Sequence, residues 1–454
     1  MSSAQPRRLA MAAALCALAC SPPGDSAGND DGGPEHTGEA TASNPRPGNL
    51  LILVADDLGT DWVGVYGETP ELPSATPRID ALASQGLLFR HAWAYPVCST
   101  ARAALLTGQH AFRSGLGKAI NGELPEEQVP PSARGLPEIL ASAGYSSAAL
   151  GKWHLGPPGE LTARHPSLAL GFDTHRGAYS NVHDYYAWTK IIDDESLWST
   201  TYATTDTAND VVAQLGQLPE PWLLYVAFNA THSPIQVPPA ELSGLDIVDE
   251  EDTTLVFEAM VRALDTELGR IIDAVDARSS SRDTHIVFLG DNGTMPWVMR
   301  APDPDGGKFS MRESGIAVPF IVRSPAITAP GSTTDALVSV VDVVPTLAEL
   351  AGVQPASELD GRSFVDVLAD PLLPGSEWVY SHYYSPNDKG PYEWYREAAR
   401  EARFKLLRDQ EEGEQLWDLQ DLQHEAEPLS QPFTGEAAAA HAELSEVLDA
   451  LGPQ

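Results

Sequence analysis

The amino-acid sequence predicts an α/β fold: a large mixed, mostly parallel sheet sandwiched by helices, with a smaller C-terminal α+β subdomain. Three observations predict it. Unbroken apolar runs of strand length recur along the chain, segments with helical spacing lie between several of them, and beyond about residue 375 short strands follow one another closely. Strands that are apolar throughout need both faces covered, and a parallel sheet flanked by helices covers both. At 454 residues the chain has length for one large domain and a smaller one, with an ample core.

The chain starts with "MSSAQPRRLAMAAALCALAC", two arginines ahead of a short apolar run and small residues. This is the pattern of an export signal, too short to span a membrane stably. Residues 1–20 are expected to be a signal peptide or lipoprotein leader, with Cys20, after "ALA", as the lipid attachment point. Residues 21–48 are rich in Gly, Pro, Ser and acids and lack apolar periodicity, so they are expected to be a disordered acidic linker. The protein is then exported, a periplasmic or cell-surface lipoprotein or a secreted protein. An N-terminal lipid anchor is its sole expected attachment to a membrane.

The main domain is expected over 49–375 and opens with "NLLILVADD", an apolar strand that stops at two aspartates. Similar runs predict strands at "YSSAALGKWH", "PWLLYVAFNATH", "DTHIVFLGDNG" and "VPFIVRS". Helical spacing marks "TPRIDALASQGLLF", with Pro near its start and Gly near its end, then "GLPEILASAGY", "TANDVVAQLGQL" and the long "TLVFEAMVRALDTELGRIIDAV". "VSVVDVVPTLAELAGV" reads as a strand turning into a helix. In the subdomain expected over 376–454, "EWVYSHYY", "ARFKLLRD" and "EQLWDLQDL" read as short antiparallel strands with a turn at Glu412 and Gly413, ahead of an Ala-rich helix.

With 28 Lys and Arg against 64 Asp and Glu, the formal charge of −36 repels nucleic acid and anionic lipid, which excludes a nucleic-acid function. In open α/β sheets ligands sit beyond the carboxyl ends of strands. Polar residues collect at those ends here: Asp56 and Asp57, Lys152 and His154, Asn229 and His232, Asp291 and Asn292. Three carboxylates and an amide oxygen form a hard ligand set suited to Ca²⁺ or Mg²⁺. A solvated strand end is the plainer reading of one such pair; two pairs, each at a strand end, favour a metal.

In "GKWHLG" the one-residue gap puts Lys152 and His154 on the same side of an extended segment. A cation and an imidazole aimed together fit a tetrahedral oxyanion and its proton transfers. His232 in "NATHSP" and Lys308 in "GGKFSMRESGIAVPF" are, each alone, loop composition. Of the three cysteines, Cys16 leaves with the leader and acylation consumes Cys20, so Cys98 in "YPVCSTARAALLTGQH" has no disulfide partner in the chain.

Taken in order, "LLILVADDLG", "TPRIDALASQGLLF", "CSTARAALLTG", "GKWHLG", "LGDNG" and "VVDVVPTLAELAGV" resemble the type I, formylglycine-dependent sulfatases, arylsulfatase-like members of the alkaline phosphatase superfamily. The resemblance runs on to "LWDLQDLQHEAEPL". It implies an alkaline phosphatase-like catalytic domain over 49–375 and hydrolysis of aryl or carbohydrate sulfate monoesters to an alcohol and inorganic sulfate. It also implies that a formylglycine-generating enzyme converts Cys98 to 3-oxoalanine (formylglycine). Asp56, Asp57, Asp291 and Asn292, with residue 98, would hold Ca²⁺, Mg²⁺ being the other candidate.

In the mechanism so implied, one hydroxyl of the aldehyde hydrate attacks sulfur and expels the alcohol. The second hydroxyl then loses its proton and ejects sulfate, regenerating the aldehyde. Arg102 would orient the formylglycine, Lys152 and Lys308 would bind sulfate oxygens, and His154 would assist the elimination. His232 would protonate or steady the leaving oxygen, and Ser180 in "GAYSNVHDYY" would add a polar contact to substrate. The chain departs from the signature at Thr100, where the family has Pro or, less often, Ala.

Two rivals stand beside this reading. A phosphomonoester or phosphonate hydrolase of the same superfamily is disfavoured by Asn292, where metal-rich phosphatases commonly carry histidine. An inactive lipoprotein that binds sulfated glycans has Thr100 as its supporting feature. The aromatic segments "RGAYSNVHDYYAWTK" and "YYSPNDKGPYEWYREA" suit a sugar, an aryl group or simple packing.

Overall fold

The structure is a computed structural model that describes residues 47–67, 74–121, 128–130, 132–156, 166–278, 280, 282–300, 303–354, 359–388, 390–420, 425 and 427–452. The leader and nearly all of the expected linker lie outside the described residues. Residues 46–454 form one compact unit. No described helix is long and apolar enough to cross a membrane.

Ten strands build the main sheet: β1 (Asn49–Ala55), β2 (Leu87–Trp93), β3 (Ser146–Gly151), β4 (Thr174–Gly177), β5 (Trp188–Ile192), β6 (Glu195–Ser199), β7 (Trp222–Ala227), β8 (Thr284–Gly290), β9 (Phe320–Arg323) and β10 (Ser332–Ser339). Their order is β10-β2-β9-β8-β1-β7-β3-β4-β5-β6. The five central strands from β8 to β4 are parallel, while β9, β5 and β6 run antiparallel to their neighbours.

The sequence of β1 shows why its apolar run is unbroken. Leu50, Ile52 and Val54 face one layer, with Ala101, Ala104 and Leu105 of the helix Cys98–Thr107 and with Val344 and Leu347 of the helix Val343–Leu350. Leu51, Leu53 and Ala55 face the other, against Leu264, Leu268 and Ile271 of the helix Thr253–Ala277. Alternate side chains point to opposite faces, so a strand covered on both sides must be apolar at every position.

Register aligns the strand ends that matter. Ala55 pairs with Gly290, Val54 with Ala227, and Gly151 with Ala227. The residues immediately beyond these pairs therefore emerge side by side at one edge of the sheet.

Some expectations need correction. "TPRIDALASQGLLF" is helical only over Pro77–Ser84; its last residues enter β2, because a helix ending near Gly86 leaves the apolar Leu87–Phe89 free to pair with β9 and β10. Lys152 and His154 do not extend β3. Gly151 has φ +89° and His154 φ +57°, so the segment turns, and both side chains reach the site from that turn.

The C-terminal sheet has four antiparallel strands, β11 (Val379–Ser385), β12 (Trp394–Arg400), β13 (Phe404–Asp409) and β14 (Gly413–Asp418), with the helix Gly435–Leu451 packed on it through Leu444 and Leu448. The strand β12 begins in the segment whose aromatics suited a ligand; in the structure it is the ladder partner of both β11 and β13.

At Gly177 φ is +152°, and a Cβ there would overlap the carbonyl of Gly151. The Gly177→Ala variant is accordingly expected to lose about 2 kcal/mol or more, since the strain of an unsuitable backbone region adds to steric overlap at a packed strand crossing. Urea unfolding of the two proteins checks this; equal midpoints would refute the close approach.

Candidate active site

All of the site residues expected from sequence come together beyond the carboxyl ends of β1, β3, β7 and β8. Cys98 is the first residue of a helix that is buried from end to end, and it is 1% exposed. Its Sγ lies 3.2 Å from His154 Nδ1. Cys98, Asp56 and Asp291 each offer a ligand atom within 4.8 Å of the others.

The tautomer of His154 follows from its other nitrogen. Nε2 lies 2.9 Å from the Ile120 carbonyl, which can only accept, so Nε2 carries the proton and the Nδ1 lone pair faces Cys98. Burial, reinforced by the Lys152 ammonium, pushes the His154 pKa well below its ordinary value and keeps the ring neutral.

Three carboxylates and three cations fill the floor. Lys152 Nζ is paired with Asp56 Oδ2, Lys308 Nζ lies 2.6 Å from Asp57 Oδ1, and Arg102 Nε donates to Asp291 Oδ2 at 2.8 Å. Arg102 also donates through Nη1 to the Lys152 carbonyl at 3.0 Å, which ties the Cys98 helix to the turn after β3. Burial alone would raise the Asp56 carboxyl, but Lys152 and then Arg102 hold it well below the ordinary range. Burial and the Asp56 charge push Asp291 upward. Burial opposes the charge on Lys308, and Asp57 more than offsets it, so the ammonium is kept.

Asn292 donates Nδ2 to Asp57 Oδ1 at 2.8 Å and to the Gly293 carbonyl at 3.0 Å. That leaves Asn292 Oδ1, Asp56 Oδ1 and Asp57 Oδ2 buried with no hydrogen-bond partner. Buried oxygens are rarely left without a donor, and three together in an all-oxygen set, beside Asp291 and residue 98, fit a hard divalent cation.

His232 places Nδ1 2.7 Å from the Ser233 carbonyl, to which it donates, and Nε2 3.9 Å from Asp57 Oδ2. Burial lowers its pKa, opposed by Asp57. His232, Lys308, His154, Cys98 and Ser180 share a cavity of about 1030 Å³. Lys152 is buried behind Asp56 at 1% exposure. Asn229 donates to the Ser180 carbonyl at 3.4 Å and so braces that wall.

Residues not singled out from sequence hold these groups in place. Tyr185 Oη lies 2.7 Å from the Asn229 carbonyl and 2.8 Å from that of His232, fixing the loop after β7. Ser99 accepts from Ile120 N at 3.1 Å and so positions the carbonyl that orients His154. Thr294 donates to Asp61 at 2.6 Å and accepts from Gly59 N at 2.9 Å, locking the loops after β1 and β8 together. The aromatic "HDYY" loop was the one signal available for Tyr185; nothing local marks the other two.

Comparison with known proteins agrees with this geometry. A sulfatase family model matches residues 48–353, and a model of the C-terminal region of N-sulphoglucosamine sulphohydrolase matches 307–451. The chain is 31% identical over 370 residues to the N-acetylgalactosamine-6-sulfatase of Mus musculus, covering 73% of this chain and 68% of that protein. It is 29% identical over 372 residues to the arylsulfatase A of Homo sapiens, again covering 73% and 68%. The crystal structure of Ps i-CgsB in complex with k-i-k-neocarrahexaose superposes with a TM-score of 0.75 at 25% identity, covering 89% of this chain and 92% of that one. The sheet order, the convergence of its strand ends on Cys98 and these matches lead to one assignment: the chain belongs to the sulfatase family of the alkaline phosphatase superfamily and is a sulfuric ester hydrolase.

Proposed function

We propose that this sulfatase hydrolyses a carbohydrate sulfate monoester with a nucleophile made from Cys98, matured to formylglycine by a formylglycine-generating enzyme, and with a divalent cation, Ca²⁺ in preference to Mg²⁺. The observation that carries the reading is the position of Cys98: the one thiol among the described residues, buried at a helix N-terminus beside a neutral imidazole and three buried oxygens without a hydrogen-bond donor. The carbohydrate is supported by a relative named N-acetylgalactosamine-6-sulfatase and by a structural neighbour in complex with k-i-k-neocarrahexaose.

Asp56, Asp57, Asp291 and Asn292 would hold the cation, with residue 98 completing the set. When bound, it neutralises carboxylate charge and polarises a sulfate oxygen. The aldehyde hydrate of residue 98 supplies the attacking oxygen and a second hydroxyl whose loss of a proton frees the product.

The protein side chains do the rest. Lys308, at the cavity floor, pairs with sulfate oxygens, and Lys152 supports the same charge from behind Asp56. His154 Nδ1 accepts the proton from the residue-98 hydroxyl, because its Nε2 proton is committed to Ile120. His232, its Nδ1 proton committed to the Ser233 carbonyl, protonates the leaving oxygen from Nε2 in the imidazolium form, Ser180 adds a contact to substrate, and Arg102 holds residue 98 through the Asp291 network. Cys98 opens its helix, so the positive end of the helix dipole lies at residue 98 and favours an anionic adduct. Export, with a lipid anchor at Cys20, suits a glycan-directed enzyme.

The test is to weigh the peptide spanning Cys98 from protein made with its maturation enzyme and to compare turnover of 4-nitrophenyl sulfate and 4-nitrophenyl phosphate. Replacement of –CH₂SH by –CHO with preference for the sulfate is expected; an unmodified thiol with no hydrolysis, or preference for phosphate, overturns the proposal. Chelation with EGTA is expected to lower both activity and melting temperature, and Ca²⁺ to restore them. Binding at 100 times Kd stabilises by about 2.7 kcal/mol. A melting temperature indifferent to Ca²⁺ would remove the cation from the reading.

A further inference from the structure

The cavity over Cys98 has one wall made by the β5–β6 hairpin, at the far edge of the main sheet. Trp198 lies opposite Thr189 and Ser196 opposite Ile191 in that antiparallel ladder, and all four line the cavity. Residues directly opposite share a face, so the hairpin turns one continuous face toward the site. Trp198 is 65% exposed, the most exposed of the cavity's aromatic residues.

The hairpin is braced from behind. Lys190 is paired with Asp206 and lies 2.6 Å from Asp210, Ser199 donates to Asp206 at 2.7 Å, and Trp188 Nε1 donates to the Thr201 carbonyl at 3.0 Å. The contacts to Asp206 and Asp210 join β5 and β6 to the helix Ala203–Leu215, and the Trp188 bond ties β5 to the segment just ahead of it. The strand that carries the indole is thus fixed before binding, which removes part of the ordering cost.

Charge along the cavity is uneven. Among the described lining residues, Lys308 is the one Lys or Arg and Asp194 the one carboxylate. Lys308 lies at the floor, paired with Asp57; Asp194 sits at the exposed hairpin tip with Glu195 beside it. Beside Trp198 on the hairpin face stand Thr189 and Ser196, which offer hydroxyl groups suited to sugar hydroxyls and of little use to a plain aryl ring.

Resting on the sulfatase reading, we propose that Trp198 is a specificity-determining residue that stacks an uncharged pyranose ring of the substrate, and that the acidic hairpin tip selects singly sulfated saccharides over those carrying a second sulfate or a carboxylate. The aromatic face takes the apolar C–H face of the sugar, the polar groups beside it take hydroxyls, and the carboxylates repel further anionic groups, for which the described lining offers no Lys or Arg beyond Lys308.

The experiment measures kcat/KM for 4-nitrophenyl sulfate, for singly sulfated methyl galactosides and glucosides, and for their disulfated counterparts, with the wild type, W198A, W198F and D194N. Because Trp198 is largely exposed, W198A should fold. Its kcat/KM on the monosulfated glycosides is expected to fall about 10- to 50-fold, chiefly through KM, and further than on 4-nitrophenyl sulfate. W198F should recover most of the loss, and D194N should narrow the gap between mono- and disulfated sugars.

If the wild type turns over none of these probes, the sulfatase reading falls and this inference with it. Turnover of 4-nitrophenyl sulfate with no glycoside hydrolysed, with disulfated sugars preferred, or with a sugar-to-aryl ratio unchanged in W198A, overturns this inference alone.

Discussion

Replacing Cys98 by alanine is expected to abolish sulfate-ester hydrolysis, with kcat lower by about 10⁴-fold or more, as when the nucleophile of a covalent mechanism is removed. The substitution trims a small buried side chain at the start of a helix whose other buried positions are unchanged, so the fold should survive. Its Ca²⁺-dependent melting shift should also persist, because the oxygens of Asp56, Asp57, Asp291 and Asn292 remain. Loss of turnover with retention of the melting shift would separate the nucleophile from the metal set; full activity in the variant would show that the reaction does not pass through residue 98. Initial rates on 4-nitrophenyl sulfate and thermal unfolding with and without Ca²⁺ supply both readouts.

Lys152→Ala is expected to cost about 3–5 kcal/mol of stability, the scale for breaking a buried ion pair and leaving one charge uncompensated. Both Lys152 and Asp56 are fully buried, and the next cation, Arg102, has its Nη2 3.7 Å from Asp56 Oδ1 while its Nε is committed to Asp291. In the wild type the Asp56 pKa is depressed, so its contribution is present above the carboxylate's unfolded value near 4 and is lost as pH falls through the folded value. Without Lys152 the folded pKa rises, and the deficit relative to wild type should be largest near pH 7 and shrink toward pH 5. Added Ca²⁺ should narrow it by supplying charge to Asp56. Urea unfolding at the two pH values checks this, and a deficit that is small or independent of pH would mean that Lys152 does not compensate Asp56. Turnover should also fall, by about 10²- to 10³-fold if the ammonium stabilises developing charge.

The legible part of this protein was local. The run "NLLILVADD" announces a strand covered on both faces and ends it at the metal-suited pair; "GKWH", "NATH" and "GDNG" repeat the device, and the structure brings their polar residues together at adjacent strand ends. Strand order was not legible, because period and apolarity report that a segment is buried and say nothing of its neighbours. The strand β2 was hidden in the tail of a helical motif, and β12 in a segment rich in aromatics, since both are recognised by their ladder partners and not by their own composition.

By itself the sequence determined the α/β class, the family motifs in their order, and the set of acids, cations and imidazoles that would meet around Cys98. Only the tertiary structure decided which cation neutralises which carboxylate, which oxygens stay without a donor, and that a hairpin at the sheet edge carries Trp198 to the same cavity. Lys152 and Asp56 are 96 residues apart, Lys308 and Asp57 251. Pairings over such separations are set by strand register and by the backbone turns at Gly151 and His154, and no local pattern in the chain encodes them.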